Sequence, residues 1–282
     1  METGKNNAGS KVCFGRTGLK ESNHHLVIAD NSSNFSYSFI DIKSEQCVGL
    51  CSFLLSEMGF DKTDEQRKII NEQSGLRKSY TRTTILFSNR ECTLIPEEVY
   101  HKKNNEDYIN LLFTDTFSGR YKAMHLPSLG NYLVYKIPSL ADKFYRDNFP
   151  GVVFYHSTGY LLNTLSRLSF KHKKTLVHAH FSKNYFEVIM FSYGKLLFYN
   201  SFEFQTSEEI AYYILFALKQ WNVEADKIMV SGLMNHESDE LYWLKKYIPE
   251  IVEFPVDELL PYPASLNNPQ HFINLLSPEL CE

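Results

Sequence analysis

The chain has 282 residues, 43% of them hydrophobic, which is enough for a sizeable core in one large or two medium domains and excludes global disorder. Its 29 Lys and Arg against 33 Asp and Glu leave a net charge of −4, so nothing points to a grip on nucleic acid or anionic membrane. The basic runs Lys171-His172-Lys173-Lys174 and Lys102-Lys103 are short and read as solvated loops. No apolar run reaches the length of a membrane span, so no membrane insertion is expected. The cysteines, Cys13, Cys47, Cys51, Cys92 and Cys281, have irregular spacing and no C-x-x-C, and read as ordinary thiols in a reducing compartment. Residues 1–24 are polar, lack the apolar core of a signal peptide and read as a flexible arm, which makes a cytoplasmic setting the expectation.

Ordered structure is expected from His25. Leu26 to Ala29 is a short apolar run closed by the turn cluster Asp30-Asn31-Ser32-Ser33. Phe35 to Ile42 alternates, with Phe35, Tyr37 and Phe39 on one face of a strand. Cys47 to Leu55 makes a third strand, where Gly49 marks close packing or a bulge. Thr63 with Gln66 fits the capping box of a following helix that buries Ile69 and Ile70. Strands over Thr83–Phe87 and Cys92–Ile95 flank the turn 88–91, and Pro96-Glu97-Glu98 reads as a helix start. A strand over Tyr132–Ile137, a helix opening at Pro138-Ser139, a strand over Val152–Tyr155 and a helix over Thr158–Leu168 follow.

The second half opens in the same way. Thr175–Phe181 is a strand, and Tyr185–Phe191 turns through Tyr193-Gly194 into Leu196–Phe204 as a tight hairpin. Thr206 and Glu209 form the capping box of a helix whose apolar face is Ile210, Ile214, Ala217, Leu218 and Trp221. Ile228–Val230 is a buried strand ending in Ser231-Gly232. A helix over Glu237–Tyr247, a strand over Ile251–Phe254 and a short helix over Val256–Leu260 precede Pro261-Tyr262-Pro263 and a C-terminal tail. The pattern β-β-β-α thus occurs twice, each time followed by further β and α elements, a duplicated unit that buries one face of a mixed sheet against helices.

This order resembles the actin-like ATPase superfamily, an α/β fold of two ribonuclease H-like halves, each β-β-β-α-β-α-β-α. Val177-His178-Ala179-His180, the hairpin with Gly194, the capped helix and Ile228-Met229-Val230-Ser231-Gly232 run as in bacterial pilus-assembly and cell-division actin-like proteins. Val134-Tyr135-Lys136-Ile137-Pro138 through Leu165 looks like the segment closing their first half. The chain is similar over about residues 25–262 to an uncharacterised bacterial family of unknown function assigned this fold. The resemblance implies an arm over 1–24, a first half with an inserted subdomain over 25–171, and a second half with a tail over 172–282.

The resemblance also implies where ATP chemistry would lie. After the first strand of each half, an acid-x-Gly turn lets the backbone approach phosphates while the acid holds Mg²⁺ through water. Asp30, Ser32, Ser33 and Asn34 form the first such turn, with Ser32 in the glycine's place. In the second, His178 replaces the acid and His180 the glycine, with Asn184 further along; a histidine is a poor ligand for a hard cation. Ser231-Gly232-Leu233 stands where a Gly-Gly turn would lie against adenine or ribose. With one acid and one glycine left across three turns, the expected function is a non-catalytic binding or scaffold protein with degenerate nucleotide motifs and no cofactor. Its partner would be another protein or a second copy.

Two enzymatic readings stand beside it. One is an ATPase or phosphotransferase using Asp30 for the metal and Ser32, Ser33 or Asn34 for phosphate. The other is a metal-dependent enzyme in which His178 and His180, on one face of a strand, bind a metal with Asp30 or His172 as third ligand. A nuclease-like pair of Asp30 and Asp41 is disfavoured, since Asp41 falls at the far end of its strand. The aromatic residues Tyr212, Tyr213, Tyr242, Trp243 and Tyr247 read either as core or as an interface.

Overall fold

A computed structural model describes residues 11–15, 23–31, 33–55, 62–114, 118–234 and 237–277. Ser32 and Cys281 lie outside the described residues. The first sheet contains β1 (Lys11–Gly15), β2 (His24–Asp30), β3 (Asn34–Asp41), β4 (Gln46–Leu54), β5 (Arg82–Phe87) and β9 (Val153–His156), in the order β1-β4-β3-β2-β5-β9. The second contains β10 (Thr175–Phe181), β11 (Tyr185–Ser192), β12 (Lys195–Glu203), β13 (Lys227–Gly232) and β14 (Glu250–Glu253), in the order β12-β11-β10-β13-β14. With the edge strand β1 left aside and the rest numbered within each half, both sheets run third, second, first, fourth, fifth strand, with a three-strand antiparallel meander followed by two parallel strands. The duplication is therefore one of strand order as well as of sequence pattern. An inserted three-stranded sheet of β6 (Cys92–Pro96), β7 (Gly119–Leu126) and β8 (Asn131–Pro138) carries α2 (Asn105–Leu112).

Helices α1 (Lys62–Glu72) and α3 (Ser139–Asn148) belong to the first half and α5 (Ser207–Gln220) to the second. Helix α5 starts as its sequence requires: Thr206 accepts from the Glu209 amide, and Glu209 accepts in return from the Thr206 amide. The β11–β12 hairpin turns at Tyr193 (φ 51°) and Gly194 (φ 81°), the left-handed pair of a two-residue loop. Helix α4 (Ser157–His172) packs against β9 of the first sheet and β10, β11 and β12 of the second. One hydrophobic core spans the first sheet, the insert, α4 and the facing side of the second sheet; another lies between the second sheet and α5.

Several expectations are corrected. The arm contains β1, which extends the first sheet by pairing with β4, so residues 11–15 are a strand. Cys13 lies directly opposite Cys51 in that pairing and the two form a disulfide, while Cys47 and Cys92 are buried free thiols. Thr63 lies in the first turn of α1, which already includes Lys62, and Gln66, its expected capping partner, also donates to the buried Asp30. Pro96-Glu97-Glu98 opens only a single 3-10 turn, and the span 237–247 holds two 3-10 turns, Asp239–Leu241 and Leu244–Lys246, in place of a helix. Strands β5 and β6 belong to different sheets. The expected irregularity at Gly49 is present as a register shift between Phe39 and Ile40.

The C-terminal tail is the largest departure from expectation. A segment over Pro269–Leu275 packs against β2, β13 and α4, between the halves. Leu266, Ile273, Leu275 and Leu276 are buried there, Ser38 Oγ donates to the Leu275 carbonyl at 3.2 Å, and the Leu260 amide donates to the Leu276 carbonyl at 2.9 Å.

Gly232 ends β13 with φ +87°, and a Cβ there would stand 2.2 Å from the Phe181 carbonyl oxygen of β10. The Leu233 amide bonds that same oxygen at 2.8 Å. Gly232→Ala is expected to cost about 2–4 kcal/mol in urea denaturation, because strain and a backbone clash combine. Gly130→Ala, at φ +60° with nothing within 4 Å, is the control and should cost only about 1 kcal/mol.

Candidate functional site

The turns that end β2, β10 and β13 converge at one edge of the cleft between the sheets, around a cavity of ≈ 300 Å³. Asn31, Ser33 and Asn34 line it from the first turn, His180 and Lys183 from the second, and Gly232 from the third. The tail closes it with His271, Phe272 and Asn274. Of the residues singled out from sequence, Ser33, Asn34, His180 and Gly232 therefore meet at one cavity. Asp30, His178 and Ser231 lie buried beneath its wall, and Asn184 is exposed on the outside of its turn.

Asp30 is 3% exposed. Its Oδ1 lies 2.6 Å from Lys62 Nζ and accepts from Gln66 Nε2 at 3.1 Å. Lys62 Nζ also donates to the Asn31 carbonyl at 2.6 Å. A buried carboxylate needs such partners, since an unpaired one would carry a large desolvation cost. The Tyr145 hydroxyl lies beside it, short of hydrogen-bonding geometry; burial first and the Asp30 charge second hold that phenol well above its ordinary pKa. Gln66, expected at a helix cap, is buried on α1 and completes this arrangement.

In the first turn, Asn31 Oδ1 accepts from the Ser33 amide at 3.0 Å and the Asn34 amide at 2.6 Å. Those are the backbone donors that an anion at this turn would use. Asn31, Lys62 and Gln66 were not among the site residues expected from the sequence. An Asn directly after an acid in a turn signals a side chain that bonds its own backbone, and would have identified Asn31. No local signal identifies Lys62.

In the second half, His178 Nε2 and His180 Nδ1 both reach Ser231 Oγ, at 2.9 and 2.8 Å. His178 Nδ1 has no partner among the described residues. The proton arrangement that leaves no buried N–H unpaired has His178 Nε2–H donating to Ser231 Oγ and the Ser231 hydroxyl donating to His180 Nδ1. His180 then carries its own proton on Nε2. Burial lowers both imidazole pKa values, His180 to about 4 and His178 well below its ordinary value, with the neighbouring His180 adding to the effect on His178. His172, the other histidine considered as a ligand, lies 3.5 Å from Glu258 instead. Among the described residues no group of three His, Cys, Asp or Glu side chains has the spacing of a metal site. Asp41 is paired in register with His24 at the opposite end of the β2–β3 hairpin from Asp30, so the two acids do not meet.

A second buried polar cluster joins the halves beside this site. Glu187 on β11 accepts from Thr158 Oγ1 at the start of α4 and from the Tyr199 hydroxyl at 2.9 Å. Burial raises the Glu187 pKa, and those two hydrogen bonds oppose the rise.

Two sheets of the same strand order facing each other across a cleft, with the turn ends of β2, β10 and β13 at its mouth, define the actin-like ATPase fold. The chain belongs to the family described as "Protein of unknown function (DUF3822)", whose profile matches residues 17–251. A Bacteroides thetaiotaomicron VPI-5482 protein with actin-like ATPase fold and unknown function superposes with a TM-score of 0.76 at 21% identity, over 83% of this chain and 93% of that one. The PilM-PilN type IV pilus biogenesis complex contributes a chain that superposes with a TM-score of 0.55 at 10% identity, over 91% and 96%. No curated protein matches the sequence. At these identities the likeness establishes the fold.

Because His156, His178 and His180 are buried and neutral, acid should destabilise the protein. Free imidazoles titrate near 6.5, while His156 and His180 in the folded chain titrate at about 4. Between those values the unfolded chain binds more protons, so stability is full above pH 6.5 and falls on acidification at about 1.4 kcal/mol per pH unit per histidine. Urea denaturation from pH 7 to 4 should show a shallower loss in His180→Asn than in wild type, by about that slope.

Proposed function

We propose that the chain is a non-catalytic, actin-like-fold binding protein whose former nucleotide turns have become structural. The observation that carries this reading is the Asp30–Lys62 pair: the one acid left at the turns has its charge matched by an ammonium at 2.6 Å. A carboxylate so engaged is a poor holder for hydrated Mg²⁺, which needs a free anionic oxygen. Three further features support it. The first-turn amides already bond Asn31. The His180 ring lines the space a phosphate would need, and the tail forms part of the same wall. On this reading the residues present do not suit Mg-ATP.

The partner would be a protein. One structure of this fold is that of PilM in a complex with PilN, which shows for that protein that the fold can serve protein binding. The net charge of −4 disfavours nucleic acid. No helix among the described residues is long and apolar enough to cross a membrane.

Thermal unfolding with and without Mg-ATP, ADP, Zn²⁺ and Mn²⁺ tests the reading. A ligand at 100 times its Kd adds about 2.7 kcal/mol, and no shift is expected from any of the four. A Mg-ATP shift abolished by Asp30→Ala would replace this reading with an atypical ATPase or phosphotransferase. A Zn²⁺ shift abolished by His178→Ala would favour metal chemistry.

We also propose a cytoplasmic setting, against which the Cys13–Cys51 bond stands, since reducing thiols there oppose such a bond. Rapid alkylation in intact cells followed by mass spectrometry should then label both cysteines. Full protection would instead put the chain in an oxidising compartment.

A further inference from the structure

Helix α5 is packed on one side and open on another. Ile210, Ile214, Ala217 and Leu218 are buried against the second sheet. Glu208, Tyr212, Leu215, Phe216 and Lys219 line a surface groove of ≈ 480 Å³ with the buried Ala211 at its floor, and its other wall is Trp243 and Tyr247. Tyr212 is 61% and Phe216 51% exposed. Large aromatic side chains this open, side by side on one helix, mark an interaction surface more than a solvated one. Part of the aromatic set noted in the sequence is thus absorbed here. Tyr213 is not, because it stacks inward on Phe202 at 4.6 Å.

We propose that the groove receives helix α5 of a second copy, antiparallel, about a two-fold axis between residues 213 and 214. The choice of occupant rests on the chemistry of the stripe read in both directions. An antiparallel two-fold at that point sets Glu208 against Lys219 of the second copy, Ala211 against Phe216, and Tyr212 against Leu215. Charge meets opposite charge, the smallest side chain meets a large ring, and an aromatic meets an aliphatic. Each pairing occurs twice by symmetry, as an isologous interface requires. A parallel copy would set Glu208 on Glu208. Glu208 lies in the first turn of α5 and Lys219 in the last, where each already suits the helix dipole, so the arrangement asks for no new charge placement. The stripe is about 16 Å long, which makes the contact small. The dimer is accordingly weak, with a Kd on the order of micromolar.

This inference rests on the reading of the chain as a binding protein and can fail separately from it. Sedimentation equilibrium of the full chain should show a concentration-dependent monomer–dimer equilibrium. Phe216→Asp and Tyr212→Asp, both at exposed positions, should abolish it without altering the circular dichroism melt. Glu208→Lys and Lys219→Glu should each weaken it about tenfold, since two-fold symmetry counts each pair twice. The double variant E208K/K219E should restore wild-type affinity. A wild type that stays monomeric at every concentration, or a dimer that the double variant does not restore, would overturn the proposal. Neither result would bear on the nucleotide test, which reads a different site.

Discussion

Helix α4 is enclosed on nearly all sides, and the rest of the structure is arranged around that enclosure. The two sheets present their inner faces to each other, and α4 is the element that covers both. Thr158, Leu161, Leu162, Leu165 and Leu168 are all buried, as are the small residues Ser157, Ser166 and Ser169. Only the end that carries Arg167, Phe170, Lys171 and His172 is exposed, so most of the helix lies inside the protein. The serines do structural work at its far end. Ser166 Oγ donates to the Gly194 carbonyl at 2.8 Å, and Ser169 Oγ accepts from the Gly194 amide at 3.1 Å. They tie the β11–β12 hairpin to the helix. At the near end Thr158 meets Glu187, so one helix carries a polar contact to the second sheet at each end and apolar packing between.

The C-terminal segment completes what α4 begins. Its leucines fill the remaining space between the halves, and Ser38 and Leu260 bond its carbonyls. Opening the cleft would expose those side chains and break the Ser38–Leu275 bond, which opposes separation of the two halves. Buried polar groups follow the same logic. Asp30, His178, His180 and Ser231 lie where the fold leaves its turn ends and are bonded from within: Asp30 by Lys62 and Gln66, and one nitrogen of each histidine by the same serine, with only His178 Nδ1 left unpartnered among the described residues. A turn whose donors and acceptors are internally matched has little left to offer a phosphate, which connects the packing of the cleft to the proposed loss of nucleotide chemistry.

Much of the fold was legible because it rests on local signals. The Thr206–Glu209 capping box, the Tyr193-Gly194 turn and the period-two run over 35–39 each act within a few residues, and each stands in the structure as read. The failures have equally specific causes. Strand β7 and helix α2 went unread because the inserted sheet is small and leaves most of β7 half-buried, so no sharp alternation arises. Leu241, Leu244 and Ile248 are buried at a spacing that suits a helix, but two 3-10 turns bury the same residues. The bond from Gln66 to Asp30 went unread because an i, i+3 polar pair signals a cap, and nothing local signals that its amide also reaches a buried acid.

By itself, the sequence determined the repeated order of elements along the chain and the turns that close its strands, because periodicity and turn chemistry need no knowledge of distant neighbours. That His178 and His180 stand in place of an acid and a glycine is what the resemblance to the actin-like fold implies. Only the tertiary structure decided what those turn residues do. Lys62 reaches Asp30 from the start of α1, Ser231 meets two histidines from a strand more than fifty residues away, and the tail enters the cleft from the end of the chain. Such pairings are set by how sheets and helices pack to cover one another, and no spacing along the chain encodes which buried polar group will find which partner.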